Sequence, residues 1–262
     1  MLNKKIVVIN NKGGVGKTTS SNELFAPFLS FENSMQPTIV YEFDEENMHG
    51  AKYSNSECIK FSPQKVTGIA LEEKILDILL DESPAVIDIG ANKTTTYFLE
   101  ALEKSAVEHI VSLVAIPLGD GEQDALNART IYRKIRKMND EIPILFVLSR
   151  YNSSRELEYQ FDYFFESLLP YVEEKDKHWI ALNDSDTIKF ARREGKTVFE
   201  ISYDKVDYKD IIKKAMKHEK SKEKIKMLSR KNKLFKSCVE YRKEILVPAF
   251  NKLRKIIKNG ED

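Results

Sequence analysis

Residues 6–30 constrain what this chain can fold into more than any other stretch. An apolar run, Ile6-Val7-Val8-Ile9, is followed by Lys12-Gly13-Gly14-Val15-Gly16-Lys17-Thr18-Thr19 and then by a helix-compatible segment to about Ser30. A run that is apolar at every position reads as a strand buried on both faces, the kind found in parallel sheets. Strand, glycine loop and helix in that order are the context of a phosphate-binding P-loop. Gly13, Gly14 and Gly16 let several backbone N–H groups converge on one anion, and the helix N-terminus adds its partial positive charge. Lys17 then suits β/γ-phosphate charge, and Thr18 offers a hydroxyl to Mg²⁺. Gly13, Gly14, Val15, Gly16, Lys17, Thr18 and Thr19 are thus the candidate nucleotide cradle.

The rest of the chain alternates strands and helices at a spacing that specifies a doubly wound, mostly parallel α/β sheet. Strands are expected at Thr38–Phe43, within residues 57–62, over Pro84–Asn92, Ile110–Pro117 and Ile142–Leu148, and from Trp179. Helices are expected over Gly68–Leu80, Gly121–Met138 and Ser154–Leu169, the last with a stripe of Leu157, Phe161, Phe164, Phe165 and Leu168 for packing on the sheet. Residues 47–65 give little local signal. Asp88 closes an apolar strand, which is what a Walker B carboxylate needs to hold a Mg²⁺ shell, and Gly90–Thr94 follow as a switch segment. The acidic cluster after Phe43 falls where α/β sheets bind ligands.

A P-loop of the ordinary pattern has glycine at position 11, whereas this chain has Asn11 and a second lysine, Lys12. Lys-Gly-Gly-x-Gly-Lys-Thr-Thr resembles the deviant Walker A motif of the ParA/MinD family of ATPases. The resemblance implies a P-loop NTPase fold that binds ATP and Mg²⁺, forms an ATP-dependent sandwich homodimer and hydrolyses ATP slowly without a partner. Lys12 would then reach the partner's nucleotide, Asp44 would position the attacking water, and Thr18 and Asp88 would hold the metal. Ser149-Arg150-Tyr151-Asn152 and Trp179–Ser185 lie where relatives contact adenine, which suggests Arg150 and Asn183. Ala191 and Gly195-Lys196-Thr197-Val198 continue the match, so the likeness covers most of residues 4–200. It departs from the family in Glu42, in Glu45-Glu46, and in the lack of Pro-Pro after Asp88.

Charge divides the chain. Of 42 Lys and Arg against 41 Asp and Glu, residues 205–262 hold 19 against 8, which leaves 23 against 33 in residues 1–204. The expected organisation is therefore an ATPase domain over 1–204 and a basic helical extension over 205–262, packed on that domain or projecting from it. Lys222, Lys224, Lys226, Arg230, Lys231 and Lys233 suit non-specific, salt-sensitive contact with DNA phosphates, and they equally suit a solvated face that balances an acidic body. ParA relatives bind DNA through basic C-terminal helices. On the last helix Leu246, Ala249, Phe250, Leu253, Ile256 and Ile257 share one face, which can dock on the body, on a partner or on an anionic membrane.

Cys58, Cys238 and the four histidines form no metal-ligand pattern and fit a reduced cytosolic protein. No apolar stretch has the length of a membrane span, and Met1–Lys5 run straight into the first strand, so the chain is expected to be neither exported nor threaded through a bilayer. It is also expected to lack an operator-reading N-terminal extension. The sequence expectation is a cytoplasmic, ParA-type ATPase of DNA or plasmid partition, nucleoid-associated if it holds DNA and released by a ParB-like partner. A MinD-like membrane-surface ATPase and a conjugation or accessory adaptor using ATP as a switch are the alternatives, with a metabolic synthase behind them.

Overall fold

The computed structural model describes residues 3–43, 50–64, 70–218 and 221–259. Among these, strands β1 (Lys5–Val8), β2 (Thr38–Phe43), β3 (Ile59–Pro63), β4 (Ala85–Ile89), β5 (Leu113–Leu118), β6 (Ile144–Tyr151) and β7 (Trp179–Asn183) form one sheet. Its order is β3-β2-β4-β1-β5-β6-β7, and every pairing is parallel. Strand alternation splits the core between the two faces: Ile6 and Val8 point into one cluster, Val7 and Ile9 into the other.

The second face is covered by α2 (Ala70–Leu80), α3 (Lys93–Ser105), α4 (Glu122–Met138) and α5 (residues 157–168). Helix α5 departs from the continuous helix expected over Ser154–Leu169. It turns at Phe161, whose φ of −111° and ψ of 41° leave the helical region, and resumes as a π-helix over Tyr163–Leu168. The distortion buries Phe161, Phe164 and Leu168 together against the sheet. Helix α3 occupies residues read from sequence partly as a switch segment and otherwise left unassigned. The expected helix over Gly68–Leu80 is present from Ala70, and its first residues lie outside the described ones.

The first face carries α1 (residues 17–32, with a π-turn at Ser21–Phe25), α6 (Asp186–Arg193), α7 (Val198–Ile201) and the C-terminal half of α9 (residues 222–259). Leu246, Ala249, Phe250, Leu253, Ile256 and Ile257 are all buried in this cluster. Phe250 meets Phe28 edge-on at 5.5 Å and Phe199 at 5.7 Å between ring centroids. Each such side chain contributes about 1.5–3 kcal/mol by leaving water, so the apolar stripe of the last helix is spent on the protein's own core. Between α7 and α9, α8 (Tyr208–His218) packs along the N-terminal half of α9. Among the described residues no helix is long and apolar enough to cross a membrane.

Candidate functional site

The chain leaves β1 at the carboxyl edge of the sheet and enters the phosphate loop through Asn10, which is fully buried. Asn10 Nδ2 donates to Pro117 O at 2.7 Å, and its Oδ1 accepts the Lys12 N–H at 2.9 Å. This side chain sets where the loop starts. Gly14 and Gly16 have φ of +76° and +90°. A Cβ at Gly16 would also stand 2.5 Å from Ser149 Oγ, so both backbone and space require glycine there. At Gly13 and Gly14 an added Cβ would meet nothing within 4 Å, so the space over the loop is open.

Lys17 opens α1 and is largely buried; its Nζ donates to Asn10 O at 3.1 Å and Lys12 O at 2.9 Å. The loop's own carbonyls thus hold the ammonium at the loop, where a charged phosphate oxygen would be the stronger acceptor. This arrangement fits a bound polyphosphate. Lys12 is ion-paired with Asp124 in the first turn of α4, half open to solvent at 40% side-chain exposure.

Register brings Asp88 beside Val8 on one side and Glu42 on the other, so two buried carboxylates sit at the strand ends next to the loop. Mg²⁺ is usually held by one or two carboxylates plus substrate phosphates, and a site of Asp88 with the Thr18 hydroxyl matches that chemistry. Asp44 lies outside the described residues. The segment after Asp88 is stitched to the phosphate loop. Asn92 N–H donates to Asn11 O at 3.0 Å, and Thr95 Oγ1 lies 2.8 Å from Gly90 O and 3.3 Å from Asn10 O. Asn92 takes a φ of +58°, a strained conformation of the kind that clusters at switches.

Arg150 and Asn183 come together with Gly16 and Thr19 around one cavity of about 270 Å³. Arg150 has a φ of +63°, and its carbonyl is held by Gln160 Nε2 at 3.2 Å. Asn183 lines the same cavity, and its Oδ1 is a buried acceptor with no hydrogen-bond partner.

The parallel sheet order, the loop at the end of β1 and the flanking helices match a solved structure. MinD cell division protein from Aquifex aeolicus aligns with a TM-score of 0.51 over 74% of this chain and 88% of its own, at 12% identity. This chain has the MinD fold. A plasmid partition protein from Borrelia burgdorferi (TM-score 0.46, 14% identity, 73% of this chain and 94% of that one) is also similar to it. So is the ATP complex of McdA from Cyanothece (TM-score 0.45, 14% identity, 76% and 90%). No protein-family model matches the chain, and no curated protein does.

Two parts of the site were not visible in the sequence. Glu23, on the π-turn of α1, is fully buried and accepts from Tyr53 Oη and the Val198 N–H, both at 2.9 Å. Arg192 on α6 donates to Tyr53 Oη at 2.8 Å and to Thr19 Oγ1 at 2.9 Å. Burial pushes the Glu23 carboxyl up to about 7, against the lowering pull of the Val198 N–H, Arg192 and Tyr53. Farther off, Lys222, Lys224, Lys226, Arg230 and Lys233 are exposed on the N-terminal half of α9. Lys231 is only part-exposed and pairs with Glu194, at the end of α6, at 2.8 Å. The basic helix therefore touches the helix that lines the cavity.

Proposed function

We propose that this protein is a ParA-type, ATP-dependent dimerising ATPase that holds non-specific DNA in its ATP state and releases it after hydrolysis stimulated by a partner protein. The observation that carries the reading is the phosphate loop with two lysines, Lys17 folded over the loop and Lys12 beside it at the carboxyl edge of the sheet. In this scheme the glycines and Val15 cradle phosphates, Lys17 binds β/γ oxygens, and Thr18 with Asp88 holds Mg²⁺, which neutralises phosphate charge when bound. Lys12 leaves Asp124 to reach the nucleotide of a second copy. Asp44 orients water, and Arg150 and Asn183 contact the base.

The exposed lysines of α9 supply the DNA-facing charge, and the Lys231–Glu194 pair supplies a physical link from that surface to the nucleotide cavity. The membrane-surface alternative loses its apolar face, since the side chains that would insert into lipid pack on Phe28 and Phe199 instead. The deciding experiment is anisotropy of a random-sequence duplex at two salt concentrations with ATP, ADP or no nucleotide. Tight, salt-sensitive binding with ATP alone supports the reading. Binding indifferent to nucleotide, or none, removes the partition role and favours an adaptor that uses ATP as a switch.

A further inference from the structure

The cavity beside the phosphate loop has three cationic side chains in its wall, Arg150, Lys189 and Arg192, against one carboxylate, Asp184. They are not equivalent. Arg150 is exposed, and Lys189 lies 3.2 Å from Asp186 on an open face. Arg192 alone is fixed from two sides, by Tyr53 Oη and by the Thr19 hydroxyl. Tyr53 is itself buried and bonded to Glu23, which takes the Val198 N–H with its other oxygen. A guanidinium has five N–H donors in a rigid plane. The bonds to Tyr53 and Thr19 occupy Nε and one N–H of Nη2, so further donors of the same plane remain for the cavity.

Position along the loop says which part of a nucleotide those donors meet. In a P-loop the backbone cradles the α/β-phosphates, the lysine reaches the β/γ-phosphates and the next hydroxyl serves the metal. Thr19 follows Lys17 and Thr18, one step further into α1 and facing the cavity, which puts it at the α-phosphate end. Its hydroxyl accepts from Arg192 and keeps its own proton to donate. We propose that Arg192 is a nucleotide-contacting residue that grips the α-phosphate together with Thr19, its guanidinium held in position by Tyr53. This inference rests on the nucleotide reading above and adds to it a residue that the loop motif does not contain.

The competing role for Arg192 is a strut joining α6 to α1, and stereochemistry separates the two. The full chain is titrated calorimetrically with Mg-ATP and with the two diastereomers of adenosine 5′-O-(1-thiotriphosphate), which differ only in which non-bridging α-oxygen is replaced by sulfur, a weak acceptor. The expected result is that the wild type prefers one diastereomer. Arg192→Ala should lose roughly tenfold or more in ATP affinity, the loss of one hydrogen bond to a charged group, and should bind the two alike. Arg192→Lys keeps the charge but not the fork, so it should retain part of the affinity and none of the preference.

If Arg192→Ala melts earlier yet binds with unchanged affinity and preference, Arg192 is a strut and the proposal is overturned. Should the alanine variant fail to fold, an undiminished preference in Arg192→Lys overturns it equally. A wild type that binds ATP but ignores the position of sulfur removes the Arg192 contact and leaves the phosphate loop standing. A wild type that binds none of the three nucleotides removes both.

Discussion

Replacing Glu23 by glutamine should change how the stability of this protein depends on pH, and the structure gives the size. Glu23 is fully buried, with its carboxyl raised from an ordinary value of 4.5 to about 7. In the unfolded chain the group loses its proton near 4.5, while in the native protein it keeps it until about 7. Between those values the native state binds more protons than the unfolded state, so stability falls as pH rises and levels off above 7. At 1.36 kcal/mol per pH unit the fall amounts to about 3 kcal/mol across the window. A glutamine has no proton to lose. It can still accept the Val198 N–H and donate to Tyr53 Oη, so Glu23→Gln should fold with that slope removed. Urea unfolding of both proteins at pH 5, 6, 7 and 8 measures it, and subtracting one curve from the other cancels every other titrating group. The difference in free energy should drift by about 2 kcal/mol, on the order of 1 M in urea midpoint, from pH 5 to 7 and level off by pH 8. A difference that is constant across the series would show that Glu23 is ionised in the native protein throughout, held so by Arg192 and its hydrogen bonds, and would refute the reasoning.

Lys17→Ala should abolish ATP binding in calorimetry, while the Asn10 and Lys12 carbonyls that Nζ now bonds turn to water and the chain still folds with a cooperative melting transition. Gly16→Ala should cost on the order of 1–3 kcal/mol from the Ser149 clash, plus roughly 1–2 kcal/mol from its positive φ. Adding Ser149→Gly should recover the first part alone in urea titrations. Phe250→Ala empties the centre of the cluster between α1, α7 and α9 and should cost about 3–5 kcal/mol, read from the same transition. Neutralising Lys222, Lys224, Lys226, Arg230 and Lys233 together should flatten the salt dependence of DNA binding; an unaltered slope puts the DNA contact elsewhere.

What the sequence revealed and what it hid divide along the reach of the interactions. The phosphate loop, β2 and the Asp88 strand were legible because their constraints are local: glycines at fixed offsets, or an apolar run ending in an acid. Helix α3 was not, because it opens on Lys93-Thr94-Thr95-Thr96, where β-branched residues lower helix propensity, and its apolar face of Phe98, Leu99 and Leu102 comes later. Tyr53 and Arg192 stand 139 residues apart and meet only through the fold. Ser149 read as part of an adenine loop, whereas in the structure it also lies beneath Gly16 and limits that position to glycine. Nothing local in the sequence marks Glu23; it is the packing of α7 and Tyr53 over α1 that buries it.

Helix α9 runs unbroken over residues 222–259, which at 1.5 Å per residue makes a rod about 55 Å long. One end is clamped in the core at Phe250, and the other carries the exposed lysines and is pinned to α6 through Lys231 and Glu194. A ligand pulling on the basic end therefore pulls on a beam. The load passes down the rod, across the π-turn at Arg242–Leu246, into the packing around Phe28 and sideways into the helix that holds Arg192. In a protein that carries something heavy, traction at one surface and the grip on a nucleotide at the other would then be borne by the same stiff part.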